Sequence, residues 1–160
     1  MKKFALVTGA SSGIGLQICH SLAKRGFNII LTSRSENKLK SISNEISSNY
    51  GVETTYFSCD LADKQGPQNI YNFCESKNYQ VDILVNNAGY ALPYAFEKNS
   101  VEDEENCIRV LGTSVISLTK LFVRDMIKNN HGRIMIVSSV AAFAPPAAIQ
   151  IMYGPLKTFM

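Results

Sequence analysis

A glycine-rich turn set between an apolar strand and an amphipathic helix constrains this chain more than any other feature. Residues 4–8 form a short apolar run, Thr8-Gly9-Ala10-Ser11-Ser12-Gly13-Ile14-Gly15 follows at once, and Ile14, Ile18, Leu22 and Ala23 then recur at helical spacing. Such a strand, turn and helix suits a phosphate group. Gly9 permits the tight exit from the strand, Gly13 lets backbone approach a pyrophosphate, and Gly15 lets the helix pack closely on the sheet. The helix N-terminus meanwhile offers free N–H groups and the positive end of its dipole to an anion. A glycine-rich turn that holds no ligand is the alternative, and the turn alone does not decide between them.

The alternation continues along the chain. Gly26 can cap the first helix in a left-handed conformation, and residues 27–32 read as a second strand. Ser35 can cap a helix carrying Leu39, Ile42 and Ile46, residues 52–59 read as a third strand, and Asp63 opens a helical segment with Ile70, Phe73 and Cys74. Residues 81–86 are the fourth strand. An irregular stretch around Pro93 leads into one long helical pattern through Val110, Leu118, Phe122 and Met126, and residues 133–138 are the fifth strand. Near-continuous apolar strands separated by helix-length segments predict an α/β fold, a doubly wound parallel sheet of five strands covered on both faces.

With 160 residues, 46% hydrophobic and 18% charged, the chain has the makeup of one soluble domain over residues 1–160. Its net charge of +3 is spread without a basic block, so no nucleic acid partner is expected. Cys19, Cys59, Cys74 and Cys107 form no C-x-x-C pair and read as free, buried thiols, with no metal site. Met1-Lys2-Lys3-Phe4 runs into a strand too short for a signal segment or a membrane span, so a cytoplasmic protein without membrane contact is expected.

The glycine spacing is G-x-x-x-G-x-G. Asn86-Asn87-Ala88-Gly89 ends the fourth strand, Ser138-Ser139 ends the fifth, and Tyr153-Gly154-Pro155-Leu156-Lys157 reads Y-x-x-x-K. On these motifs, in this order, the chain resembles the short-chain dehydrogenase/reductase family over essentially its whole length. The resemblance implies a Rossmann-like domain and an oxidoreductase that interconverts a carbonyl and an alcohol by hydride transfer with a nicotinamide cofactor. By similarity, Gly9, Ser11, Gly13, Ile14 and Gly15 line the pyrophosphate, Asn87 and Ala88 the adenosine ribose side, and Asp60 with Leu61 the adenine, and Gly89 belongs to the same cofactor site. Asp60 can alternatively serve a local turn.

The end of the second strand bears on the cofactor, because a ribose 2′-OH calls for a carboxylate and a 2′-phosphate for a cation. Ser33 and Arg34 stand there, with no Asp or Glu, which favours NADP(H) over NAD. A solvated surface charge is the other reading of Arg34. Ser12 stands where many NADP-preferring relatives carry a second basic residue. For the reaction, the resemblance makes Tyr153 the general acid, with Lys157 easing the departure of its proton and holding the nicotinamide ribose, and Ser139 orienting the carbonyl. Taken singly, each has a plainer reading: core edge, solvated charge and strand-end cap.

The sequence also departs from the family. It ends at Met160, shortly after the Y-x-x-x-K element, where the family continues that helix and adds two strands and a substrate loop. The domain is therefore expected to be incomplete, with Lys157 in the last turn of a stub and the fifth strand an exposed edge. Leu111 follows Val110 where relatives with a full tetrad carry an Asn that supports a proton-relaying water, and Asn106 is out of register. Pro155 falls between Tyr153 and Lys157, and the interval from Ser139 to Tyr153 is one residue longer than usual. Two readings follow. One is an NADP(H)-dependent enzyme acting on a small carbonyl or alcohol substrate, hydrophobic because residues 91–96 and 140–151 are apolar. The other is a catalytically inactive nucleotide-binding or partner-binding module. The family pairs subunits through the long helix and the Tyr153 helix, which leaves a homo-oligomer open.

Overall fold

A computed structural model describes residues 3–145 and 151–160. Strands β1 (Lys3–Thr8), β2 (Asn28–Ser33), β3 (Thr54–Ser58), β4 (Gln80–Asn86) and β5 (Arg133–Ile136) form one parallel sheet in the order β3-β2-β1-β4-β5. The chain runs outward from β1 to β3 and then returns to the other side of β1. That reversal opens a crevice beyond the C-terminal ends of β1 and β4, where ligands of such sheets bind.

Alternation within β1 divides the core. Phe4 and Leu6 face a layer with Ile70, Leu118, Phe122 and Met126, whereas Ala5 and Val7 face one with Cys19, Leu39, Ile42 and Ile46. The first layer comes from helices α3 (Gly66–Ser76) and α5 (Ser114–Lys128), the second from α1 (Gly13–Ala23) and α2 (Glu36–Tyr50). Both faces of the sheet are thus covered, as the apolar strands predict. The outer strands differ from the centre: β3 is half-buried, and β5 is mostly exposed and, among the described residues, paired only with β4.

Several boundaries differ from the sequence reading, each for a local reason. Asp63 stays outside α3, where its carboxylate accepts from the backbone N–H of Gln65 at 2.9 Å. The helix instead begins at Gly66 with Pro67 in its first turn, since proline lacks the donor that a first-turn position leaves unused. Ser35 precedes α2 as expected, yet its hydroxyl makes no capping bond. The long helical run is three pieces: α4 (Val101–Ile108), a π turn (Arg109–Thr113) and α5. The Ser114 hydroxyl donates to the Val110 carbonyl at 2.7 Å, a back-bond that competes with the helical ladder. The turn buries Val110, Leu111 and Gly112 in succession, more than one face of a regular helix can.

By length and composition the run from Val101 to Lys128 could cross a membrane. Here it is a core helix, with Leu118, Phe122 and Met126 buried against the sheet. The short α6 (Tyr153–Phe159) carries Pro155 in its first turn and seats Leu156 on Cys107 and Leu111, a third apolar cluster beside the crevice.

Candidate active site

The glycine turn is locked from below by a threonine. Thr8 is buried; its hydroxyl donates to the Val85 carbonyl at 3.2 Å and accepts from the N–H groups of Asn87 and Ala88, each at 2.9 Å. The Asn87 amide in turn donates to the Thr8 carbonyl at 2.9 Å. The loops after β1 and β4 are therefore one unit. Gly9 and Gly13 sit at φ 67° and 54°, a region that side chains strain to enter. A β-carbon on Gly15 would meet the Gly9 carbonyl and the Asn87 amide, whereas one on Gly13 would meet nothing. Gly15 therefore serves packing and lies off the crevice wall, while Gly13 leaves its backbone open to the crevice. No side chain caps α1 at Ser12 and no acid sits in its first turn, so its N–H groups lack a side-chain partner.

The crevice is a cleft of about 630 Å³. Gly9, Ser11, Ser12, Gly13 and Ile14 line one part, and Ser33, Arg34, Ser35 and Lys38 line the end of β2. Arg34 and Lys38 are exposed and make no ion pair among the described residues. The Thr32 and Ser33 hydroxyl oxygens are buried beside them without a hydrogen-bond partner among the described residues. Buried polar atoms normally find partners, so this corner is short of ligands. Asp60 and Leu61 line the cleft beyond β3; the Asp60 carboxylate also accepts from the Ala62 N–H at 2.9 Å, so the local-turn reading holds together with exposure to the cleft. Cys59 is only half-buried there, unlike the buried Cys19, Cys74 and Cys107. Tyr90 joins the wall, its phenol pushed up by burial and by Cys107, with Arg34 opposing.

Asn87, Ala88 and Gly89 continue the wall toward Tyr153 and Lys157. Lys157 is 5% exposed; its ammonium donates to the Val137 carbonyl at 2.8 Å and lies 5.7 Å from the centre of the Tyr153 ring. Burial pulls its pKa below the ordinary lysine value, with Cys107 opposing. Ser138, rather than Ser139, lines the cleft, and its hydroxyl donates to the Lys157 carbonyl at 2.7 Å. Ser139 instead accepts from the Ala141 N–H at 3.2 Å and caps a single 3-10 turn.

Sequence reasoning missed Lys38, Val137, Ser138 and Tyr90, and it set Asn106 aside although Asn106 lines the cleft. Lys38 stands four residues after Arg34, in the first turn of α2, and in the sequence it reads as an ordinary helix-surface charge. Among the described residues, no cluster of His, Cys, Asp and Glu could hold a metal ion.

A family model described as short chain dehydrogenase matches residues 3–160. The chain belongs to this family. It is 34% identical to the very-long-chain 3-oxoacyl-CoA reductase of Bos taurus, covering 99% of this chain and 51% of the relative. To the 3-oxoacyl-(acyl-carrier-protein) reductase FabG of Aquifex aeolicus it is 35% identical, over 97% of this chain and 62% of that one. Among solved structures, the short-chain dehydrogenase from Sphingobium yanoikuyae in complex with NADPH superposes with a TM-score of 0.91 at 27% identity, over 99% of this chain and 61% of that one. The chain thus spans about half to three fifths of the length of these relatives. In this short-chain dehydrogenase, Leu111 lies in the middle of the π turn, 0% exposed, packed with Cys107 and Leu156. An apolar side chain fills the position beside Lys157 that the sequence marked as a departure from the family.

Proposed function

We propose that the chain binds NADP(H) in the cleft and presents the proton-donating face of a carbonyl reductase, running in reverse as an alcohol dehydrogenase. The carrying observation is that Arg34 and Lys38 share one cleft with Tyr153 and Lys157. β2 and β5 are three strand spacings apart, so a ligand that touches both groups spans roughly 14 Å. An elongated ligand with an anionic end fits. The buried, unpartnered hydroxyls of Thr32 and Ser33, the two cations and the uncapped N-terminus of α1 suit a phosphorylated dinucleotide. Structural neighbours in complex with NADPH and with NADP support the same cofactor, and the absence of a carboxylate after β2 disfavours NAD.

On this reading Gly9, Ser11, Gly13 and Ile14 hold the pyrophosphate, Ser33, Arg34 and Lys38 the 2′-phosphate, and Asp60 with Leu61 the adenine. Bound NADPH supplies the hydride. Tyr153 gives its phenolic proton to the carbonyl oxygen as the alcohol forms, and the nearby Lys157 ammonium stabilises the negative charge left on the phenol. Lys157 is held for this by the Val137 carbonyl. The resemblance assigns the orienting hydroxyl to Ser139, whose oxygen accepts from the Ala141 N–H, while Ser138 lines the cleft and donates to the Lys157 carbonyl. The substrate class is a hydrophobic carbonyl compound, as the 3-oxoacyl reductases among the relatives and the apolar Leu92, Ile151 and Met152 support. Four free thiols suit a reducing compartment such as the cytoplasm, and exposed Ile108, Ile116 and Ile127 favour pairing of copies through α4 and α5.

Fluorescence titration with NADPH and NADH tests the cofactor. Preference for NADPH that collapses in Arg34→Ala is expected; equal affinity for both would overturn the phosphate assignment. Consumption of NADPH with a ketone panel, abolished in Tyr153→Phe, tests the chemistry. The exposed residues of β5 and the buried Leu111 favour a second reading, a nucleotide-binding module that pairs with another chain. A monomeric chain that binds no dinucleotide would refute it.

A further inference from the structure

Tyr153 also lines a second, small cavity of about 10 Å³, walled by Leu92, Cys107, Ile151 and Met152 with Asn99 and Glu104. Among the described residues its lining is apolar except at Asn99, Glu104 and the Tyr153 phenol. Glu104 is the unexpected one. It lies one helical turn before Cys107 and two before Leu111, on the side of α4 that faces inward, where a helix of this kind puts an apolar residue. One carboxylate oxygen accepts from the Asn99 amide at 2.9 Å. The other, Oε2, is buried and has no hydrogen-bond partner among the described residues. Among the described residues Glu104 also forms no ion pair. A buried carboxylate oxygen without a donor is costly, and a donor brought by a ligand removes that cost. The cavity has room for one water-sized group and no more.

Tyr153 is the wall common to this cavity and to the large cleft. We propose that Glu104 is a specificity-determining residue, its Oε2 accepting a hydrogen bond from a hydroxyl carried by the substrate near the carbonyl that Tyr153 protonates. The ligand class is therefore a hydroxyketone in the reducing direction and the matching diol in reverse. The inference rests on the reading of Tyr153 as proton donor. Discrimination of this type is strong, because a substrate lacking the hydroxyl leaves the carboxylate oxygen unpaired.

The test uses the full chain labelled on its methionine methyl groups, with the Met152 resonance identified through Met152→Leu and read by NMR, so that it needs no turnover. Hydroxyacetone and its homologues with one and two further methylenes are titrated, each against the ketone in which a methyl replaces the hydroxyl. At least one hydroxyketone is expected to move Met152 at roughly 10- to 100-fold lower concentration than its twin, the range of one hydrogen bond to a charged group. Glu104→Gln, which keeps an acceptor, should retain part of that preference, and Glu104→Leu should abolish it. Equal responses to both twins in the wild-type chain, a preference that survives Glu104→Leu, or no saturable response to any probe would each overturn the proposal. NADPH is titrated into the same sample. A hydroxyketone preference without NADPH binding would sink the cofactor reading and leave this one standing.

Discussion

Around β1 and β4 the chain is held by side chains buried under two helical layers, with Thr8 and Asn87 tying one loop to the other. Around β5 and α6 it is held by a mostly exposed strand, a small apolar cluster and the bonds of Ser138 and Lys157. Phe143, 94% exposed, and Val140 lie on that side too. The contrast separates two needs of one site. The glycine-turn end is held by the core, whereas the Tyr153 end depends on a few polar contacts that can be removed one at a time.

The sharpest way to break this contrast is Gly15→Val. Its side chain would press on the Gly9 carbonyl and the Asn87 amide, and a loss of about 4 kcal/mol or more, with NADPH binding gone, is expected in urea unfolding and titration. A fully stable variant would show that the glycine turn is not locked as described. Next in size is Leu111→Asn, which puts an amide among Cys107 and Leu156; about 2–4 kcal/mol should be lost, and activity should not be gained. A stable, faster variant would mean that water reaches the π turn.

The third prediction concerns pH. Burial pushes the Cys19 thiol up from an ordinary 9.0 to about 12. The unfolded thiol then ionises first, so its stabilisation is whole below pH 9.0 and is lost as pH rises toward about 12. Cys19→Ala should flatten the alkaline decline of stability by up to about 1.4 kcal/mol per pH unit, and an unchanged slope would place Cys19 outside the core. The smallest effect is expected for Ser138→Ala, about 1 kcal/mol from a single lost hydrogen bond. Ser138→Thr should restore it, and failure of that rescue would show that the hydroxyl does not hold α6.

Much of this was legible in the sequence. The central strands were, because burial on both faces forces the runs Phe4, Ala5, Leu6, Val7 and Ile29, Ile30, Leu31 to be apolar throughout. The glycine turn was too, because Gly9 and Gly13 need a backbone region that other residues avoid. The π turn was not legible: its hydrophobic spacing matches a continuous helix, and only the succession Val110, Leu111, Gly112 hints at it. Which of Ser138 and Ser139 faces the cleft depends on where β5 ends, and strand ends are set by pairing with β4 rather than by composition. Lys38 and Glu104 read as ordinary helix-surface charges until the neighbouring elements are placed around them.

The π turn has one more consequence, for the phase of the helix that contains it. Each residue advances an α-helix by about 100°, so the extra residue rotates α4 by that amount relative to α5. Asn106, Cys107 and Glu104 owe their direction to that offset, while Leu118, Phe122 and Met126 keep theirs from the sheet. Deleting one residue between 109 and 113 would leave the sheet contacts in place and turn Glu104, Asn106 and Cys107 away from the cavities that Tyr153 lines. A single inserted residue thus lets one continuous segment satisfy two independent angular demands, one set by the core and one by chemistry.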